Sequence, residues 1–258
     1  MNLGARSFAV VFMAILLMVL GSSPSLADKP IILGAPLSTA FLYGWAAERG
    51  IKLAVDEINA EGGVKVGNEK RKLAVEVIDT RDLEPGVPVS EALLALEKLI
   101  LEKKADFIVG GPVRSEAALA AMPLLVKNKK VSILTTGSLT PKYHATVAEN
   151  PDKFKYCFRI SGEAKWMVTG DLVPCLEDIG KKFNLNKLMI MVKDVAHARS
   201  GGELLAKIMS GKGWEVLGQP VVFPTGATDF SMGLLDAKKK GAQVLIIWMD
   251  MPESAILL

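Results

Sequence analysis

The stretch Ile31-Ile32-Leu33-Gly34, followed by Gly44-Trp45-Ala46-Ala47-Glu48-Arg49-Gly50-Ile51-Lys52-Leu53-Ala54-Val55-Asp56-Glu57-Ile58-Asn59-Ala60-Glu61-Gly62, decides the fold. Its first part is a short apolar run of the size of a buried strand. In the second part Ala47, Ile51, Ala54, Val55 and Ile58 recur at i, i+4, i+7, i+8 and i+11, one apolar stripe at helical period. Gly62 then offers a left-handed cap. The alternation repeats along the chain. Strands are expected at Leu73–Asp79, Asp106–Gly110, Val131–Thr135, Leu188–Lys193, Val216–Phe223 and Val244–Trp248, and helices at about 44–61, 88–104, 115–128, 163–183, 200–211 and 229–240. Strands separated by helices imply right-handed crossovers and a mostly parallel sheet, so the class is α/β.

The alternation breaks once. From Pro141 through Lys153 the sequence is polar, turn-rich and without period, and after an extended segment at Phe154–Ile160 the βα pattern starts afresh. Two Rossmann-like lobes are expected, 28–150 and 151–258, with a junction close to 150–160. Pro174 falls inside the apolar period of the 163–183 helix; the helix is split there or its boundary lies elsewhere. Met249-Asp250-Met251-Pro252-Glu253 reads as a strand end and a helix start, yet only Ser254–Leu258 follows. The second lobe is therefore expected to be incomplete in this chain, with residues missing beyond Leu258.

Residues 1–27 read as a signal peptide. Arg6 precedes the apolar run Phe8–Leu20, too short to span a bilayer at ~20 residues. Ser25 and Ala27 give the small-x-small pattern of a cleavage site after Ala27, with Asp28 as the new terminus. An uncleaved anchor is the alternative. Without the leader the formal net charge falls from +3 to +2, and no basic face of the kind nucleic acid demands is implied. Cys157 and Cys175 read either as one disulfide or as two thiols. Two histidines, His144 and His197, without metal-ligand spacing, give a metal site little support. No GxSxG elbow, paired-carboxylate motif or Cys/His pair near a nucleophile turn is present, so no catalysis and no cofactor is expected.

Ligands of open parallel sheets bind at the carboxyl ends of strands. Gly110-Gly111-Pro112-Val113-Arg114-Ser115 follows one strand and opens a helix; Ser115 as its N-cap, with the free amides, would seat a carboxylate. A plain Gly-rich turn is the bland alternative. Thr135-Thr136-Gly137-Ser138-Leu139-Thr140-Pro141 follows another strand and carries hydroxyls and a flexible Gly137, which a local Ser/Thr turn explains almost as well. Tyr43 and Trp45 at the first helix entrance would wall an apolar pocket or pack on their own helix. In the second lobe, Lys193–Gly202 carries His197, Arg199 and Ser200, and Asp250 ends the last strand, facing an ammonium or capping a helix.

The pattern Leu33-Gly34-Ala35-Pro36-Leu37-Ser38, Tyr43-Gly44 and Ile51–Val64, with its Asn-Ala-Glu-Gly-Gly helix end, resembles the opening of type I periplasmic binding proteins. The branch it is most similar to is the Leu/Ile/Val-binding one that serves branched-chain amino acid ABC transporters. The resemblance continues through Val77–Asp82, Phe107–Gly111, Asp229–Ser231 and Gly241–Val244. It implies two lobes closing on a ligand, an amino acid or related small polar molecule. The carboxylate would be held by Ser115 and the Gly137-Ser138-Leu139 loop, and Tyr43 would line the cleft. Leu139 stands where the amino-acid binders carry Thr or Ser. The second-lobe tyrosines are replaced by Arg199 or Ser200 in one loop and by Asp250 in the other. An acid pairing with the ligand's ammonium is expected past Leu258.

The resemblance further implies an ABC transporter permease as partner, a periplasmic or extracellular location, and no stable membrane insertion once the leader is cleaved. A ligand-sensing domain of a receptor or regulator on the same scaffold is the main alternative, and an enzyme of the doubly wound class the second.

Overall fold

The computed structural model describes residues 29–250 and 252–257. The expected leader, its cleavage site and the terminus Asp28 lie outside the described residues. The described residues group into two compact units, 29–31 with Ala54–Ala74, and Ile32–Leu53 with Val75 onward.

The small unit is built around a helix end and a hairpin. Helix α1 (Leu42–Ala60) closes within it. Gly62 takes φ +102 as the expected left-handed cap, and its amide and that of Gly63 donate to Asn59 and Ile58 carbonyls at 3.1 and 2.9 Å. Strands β2 (Val64–Val66) and β3 (Glu69–Arg71) then pair antiparallel around Gly67. The Asn59 side chain clamps Leu73, donating to its carbonyl at 2.9 Å and accepting from its amide at 2.8 Å. This hairpin escapes the sequence reading because its side chains are mostly exposed and carry no apolar alternation.

The large unit holds two parallel sheets. The first orders its strands β4 (Leu73–Asp79), β1 (Ile31–Leu37), β5 (Phe107–Gly110), β6 (Ser132–Leu134) and β7 (Cys157–Arg159). In chain order that is second, first, third, fourth, fifth. The order reverses between β1 and β5, whose parallel register pairs Leu33 with Phe107. Helices α2 (Val89–Leu101) and α3 (Ser115–Lys127) bury Leu96, Leu99, Met122 and Leu125 against Ile108 and Leu134. A separate cluster sets Ala47 and Ile51 of α1 against Ala35, Leu37 and Val113. Each fully buried side chain of this size contributes about 1.5–3 kcal/mol. β7 lies past residue 150 and is hydrogen-bonded to β6.

The second sheet places β8 (Lys187–Lys193) between β10 (Val221–Phe223) and β11 (Val244–Trp248), all parallel. β9 (Glu215–Val216) pairs with the start of β8. The single strand expected at Val216–Phe223 is thus two. Gly218 at φ +101 and Pro220, which has no amide to donate, interrupt it. Helices α8 (Ala196–Gly211) and α9 (Ser231–Lys240) complete the alternation.

Two further expectations change. The aperiodic stretch from 142 folds as α4 (Lys142–Glu149) and α5 (Pro151–Phe154), the latter capped by the Asn150 side chain accepting from the Lys153 amide at 3.1 Å. The 163–183 helix is split into α6 (Ala164–Trp166), a π-helical turn at Met167–Leu172 and α7 (Val173–Phe183). Pro174 cannot sit in a straight α-helix without clashing with a carbonyl four residues back. The Val173 amide instead reaches Val168, five residues back, and the wider turn takes up the proline. Cys157 is buried in β7, Cys175 is exposed on α7, and both are free thiols; the disulfide alternative is set aside.

Candidate functional site

Each sheet reverses its strand order next to its first strand, between β1 and β5 and between β8 and β11. Such switch points open a crevice beyond the carboxyl ends of the strands. Residues following all four strands line one cavity of about 360 Å³, within the small-ligand range.

On the first-sheet side the wall is the turn from β5 into α3. Gly110, at φ +96, and Gly111 carry the chain close beneath neighbouring backbone: a Cβ at Gly111 would lie 2.2 Å from the Pro36 carbonyl oxygen. The buried Asp82 carboxylate fixes the end of this turn, accepting from the Arg114 amide at 2.8 Å and from the Thr80 hydroxyl at 2.6 Å. Arg114 is the helix N-cap in extended conformation and makes no side-chain cap bond. Ser115, expected as the cap, is instead the first helical residue. It is 1% exposed, lines the cavity, and its Oγ has no hydrogen-bond partner among the described residues. A buried hydroxyl without a partner costs about 1–3 kcal/mol, and such groups in folded proteins are rare. With the first-turn amides of α3, which have no intrahelical acceptor, it forms a donor set aimed at an anion.

Tyr43, at the entrance of α1, also lines the cavity, and burial together with the Asp250 charge raises its phenol pKa. Trp45 lies outside the cavity, its ring covered by the Arg49 guanidinium at 3.7 Å. Gly137, Ser138 and Leu139 all border the cavity, but in different ways. Ser138 is buried at φ +52 and spends its hydroxyl on the Pro112 carbonyl at 2.6 Å, with its amide on Val113. Both bonds tie this loop to the turn that opens α3. Leu139 presents an apolar surface. Beneath this loop the Arg159 guanidinium, from β7, donates to the carbonyls of Ser138 and Thr140, each at 2.7 Å, and to Glu163 at 2.8 Å.

On the second-sheet side, the last residue of β8, Lys193, is 3% exposed, and its ammonium pairs with the Asp250 carboxylate at 2.7 Å, just past β11. His197 lines the cavity between them, its ring edge-on to Trp248. Burial lowers the His197 pKa and Lys193 adds to this, against the opposing pull of Asp250 and Glu116. The bare imidazole is the favoured form. Ser200 is not among the residues lining this cavity; its hydroxyl donates to the Ala196 carbonyl at 2.9 Å. Arg199 is exposed and paired with Asp194. Trp248 fits over α8 because Gly201 has no side chain; a Cβ there would stand 2.3 Å from the ring. Val195 and Met167 add apolar wall.

Several of these residues escape the sequence reading. Lys193 looks like the solvated end of an apolar strand, and only the fold brings Asp250 to it. Met167 opens the π turn, which no periodicity reveals. Among the described residues no cluster of His, Cys, Asp and Glu could hold a metal ion, and no helix is long and apolar enough to cross a membrane.

Two parallel sheets presenting their switch points to one cavity are the type I periplasmic binding fold. Residues 35–258 match the family model described as periplasmic binding protein, and the chain belongs to that family. The resemblance to its Leu/Ile/Val-binding branch is borne out. Among solved structures it is similar to an amino acid ABC transporter substrate-binding protein from Pseudomonas fluorescens Pf-5, at TM-score 0.68 and 20% identity over 90% of this chain and 57% of that one. It is similar also to a leucine binding protein from Thermotoga maritima (TM-score 0.64, 18% identity, 85% and 56% covered). A third is a solute binding protein of an ABC transporter from R. palustris in complex with 4-hydroxybenzoate (TM-score 0.65, 21% identity, 85% and 54% covered). The chain spans just over half the length of these relatives.

Proposed function

We propose that this chain is the ligand-binding portion of an extracytoplasmic receptor that delivers a small carboxylate-bearing solute to an ABC importer. The observation that carries this reading is Ser115: a buried hydroxyl without a partner among the described residues, at a helix N-terminus, in the wall of a cavity bordered by both sheets. The solute docks its anionic end on Ser115 and the first amides of α3, while Leu139 and Tyr43 receive its body. Closure of the halves, about the proposed junction at 150–160, buries it, and the permease reads the closed form. The relatives fit this: two are substrate-binding proteins for amino acids, and one holds a hydroxybenzoate. A carboxylate is common to those ligands. The chain acts by binding, as its family does, and works in the periplasm or outside the cell.

The test is a panel of amino acids, short carboxylates and amides, read by thermal melting of the purified chain. A true ligand raises the melting temperature with its concentration and is recovered unchanged. A flat response across the panel, or turnover of a solute, overturns the reading.

A further inference from the structure

We propose that the two halves shut on a clasp built from the chain itself: the Glu116 carboxylate seated on the N-terminus of α8, and Gly226 receiving the ring of Pro85. This rests on the receptor reading, since only a cleft that opens and shuts has use for a clasp.

Glu116 stands in the first turn of α3, next to Ser115, on the first-sheet side. One of its oxygens accepts from the Ala196 amide at 3.0 Å, on the second-sheet side and 80 positions along the chain. Ala196 opens α8, whose N-cap, Val195, makes no side-chain cap bond among the described residues and whose first turn carries no acid. The helix therefore takes its capping charge from the opposite half. Without that carboxylate two helix N-termini, each partly positive, would be drawn together unrelieved. The other Glu116 oxygen is held in its own half by the Arg114 Nε at 3.3 Å, which limits the freedom the side chain loses when the halves meet.

The second point of the clasp adjoins a further cavity of about 350 Å³, bordered by Gly86 and Val87 from one half and by Pro224 and Thr225 from the other. There Gly226, at φ +82, lies so close to Pro85 that a Cβ on it would stand 2.9 Å from the proline ring. Ser115 and Glu116, neighbours on one helical turn, thus divide the work. Ser115 meets the solute, and Glu116 is a positioning residue that meets the opposite half.

The experiment is pulsed electron spin resonance on the purified, solute-free chain carrying Cys175→Ser, with nitroxides on Val87→Cys and Thr225→Cys, one on each wall of that further cavity; Cys157 is buried and stays unlabelled. The parent should show the short separation of the shut halves. Glu116→Ala should lower the ratio of short to long separations by roughly fivefold or more, as the loss of one helix cap implies, and Glu116→Gln, which keeps an acceptor but no charge, by less. Gly226→Ala should lower it as well, because its methyl meets Pro85. A carboxylate that served only α3 would lower the melting temperature and leave the ratio in place, and that result overturns the clasp. A parent distribution without the short separation also overturns it. If Gly226→Ala does not fold, the Glu116 variants, at a side chain 32% exposed, decide. An unmoved ratio beside a solute that raises the melting temperature sinks the clasp and leaves the receptor reading standing; an unmoved ratio beside a flat solute panel sinks both.

Discussion

Replacing Ser115 by Ala should separate stability from affinity. In the parent chain the Ser115 hydroxyl is buried without a partner among the described residues. Its removal leaves a methyl in the same space and takes away a desolvated polar group. Unliganded stability should then hold or rise, by up to ~1 kcal/mol, a fraction of the ~1–3 kcal/mol that an unsatisfied buried group costs. For a chain of this size that is an increase of about 2–4 °C at most in melting temperature. Binding should move the other way. A hydrogen bond from a hydroxyl to a carboxylate contributes about 1.5–3 kcal/mol, so Kd should rise roughly 10- to 150-fold. Melting without ligand and calorimetry with the tightest solute of the panel measure the two halves independently. A drop of several degrees in the unliganded variant would show that the hydroxyl serves the fold. An unchanged Kd would remove Ser115 from the site, and the reasoning that starts from it would not survive.

Arg159→Met should destabilise the chain by about 3–5 kcal/mol in urea denaturation, because it strips a fully buried guanidinium from two carbonyls and leaves Glu163, 12% exposed, with the exposed His144 imidazole at 3.4 Å in place of a guanidinium; a loss below 1 kcal/mol would contradict the buried network. Because burial lowers the His197 pKa, the unfolded chain takes up its proton more readily than the folded one. The His197 contribution is therefore intact above the unfolded value near 6.5 and is lost as pH falls below it, so His197→Gln should flatten the stability profile between pH 7 and pH 5.5. A thiol reagent should label Cys175 promptly in the native chain and Cys157 only on unfolding; two fast reactions, or none in denaturant, would refute the placement.

What could be read beforehand follows from where periodicity is imposed. Six of the expected strands and α1 were legible because burial against a sheet forces apolar spacing on the sequence. Helix α4 was not: Tyr143 is its one buried residue, so no stripe exists to be seen, and tertiary packing rather than pattern holds it. At the site, Ser115 was legible as a hydroxyl opening a helix after a Gly-rich turn. Ser138 and Ser200 looked equivalent to it, yet both turn their hydroxyls onto nearby or neighbouring carbonyls, a choice the one-dimensional sequence does not record. The Lys193–Asp250 pair joins residues 57 positions apart, from the ends of two strands, and becomes visible only when β8 and β11 lie side by side.

The π turn at Met167–Leu172 carries close to one residue more per turn than the helix around it, and Met167, at its start, lines the cavity. Deleting a single residue there would bring the segment back to ordinary α-helical phase and swing whatever precedes it by about 100° around the axis. Length change in one coil, with every strand left untouched, is thus an inexpensive evolutionary dial for reshaping what the pocket accepts.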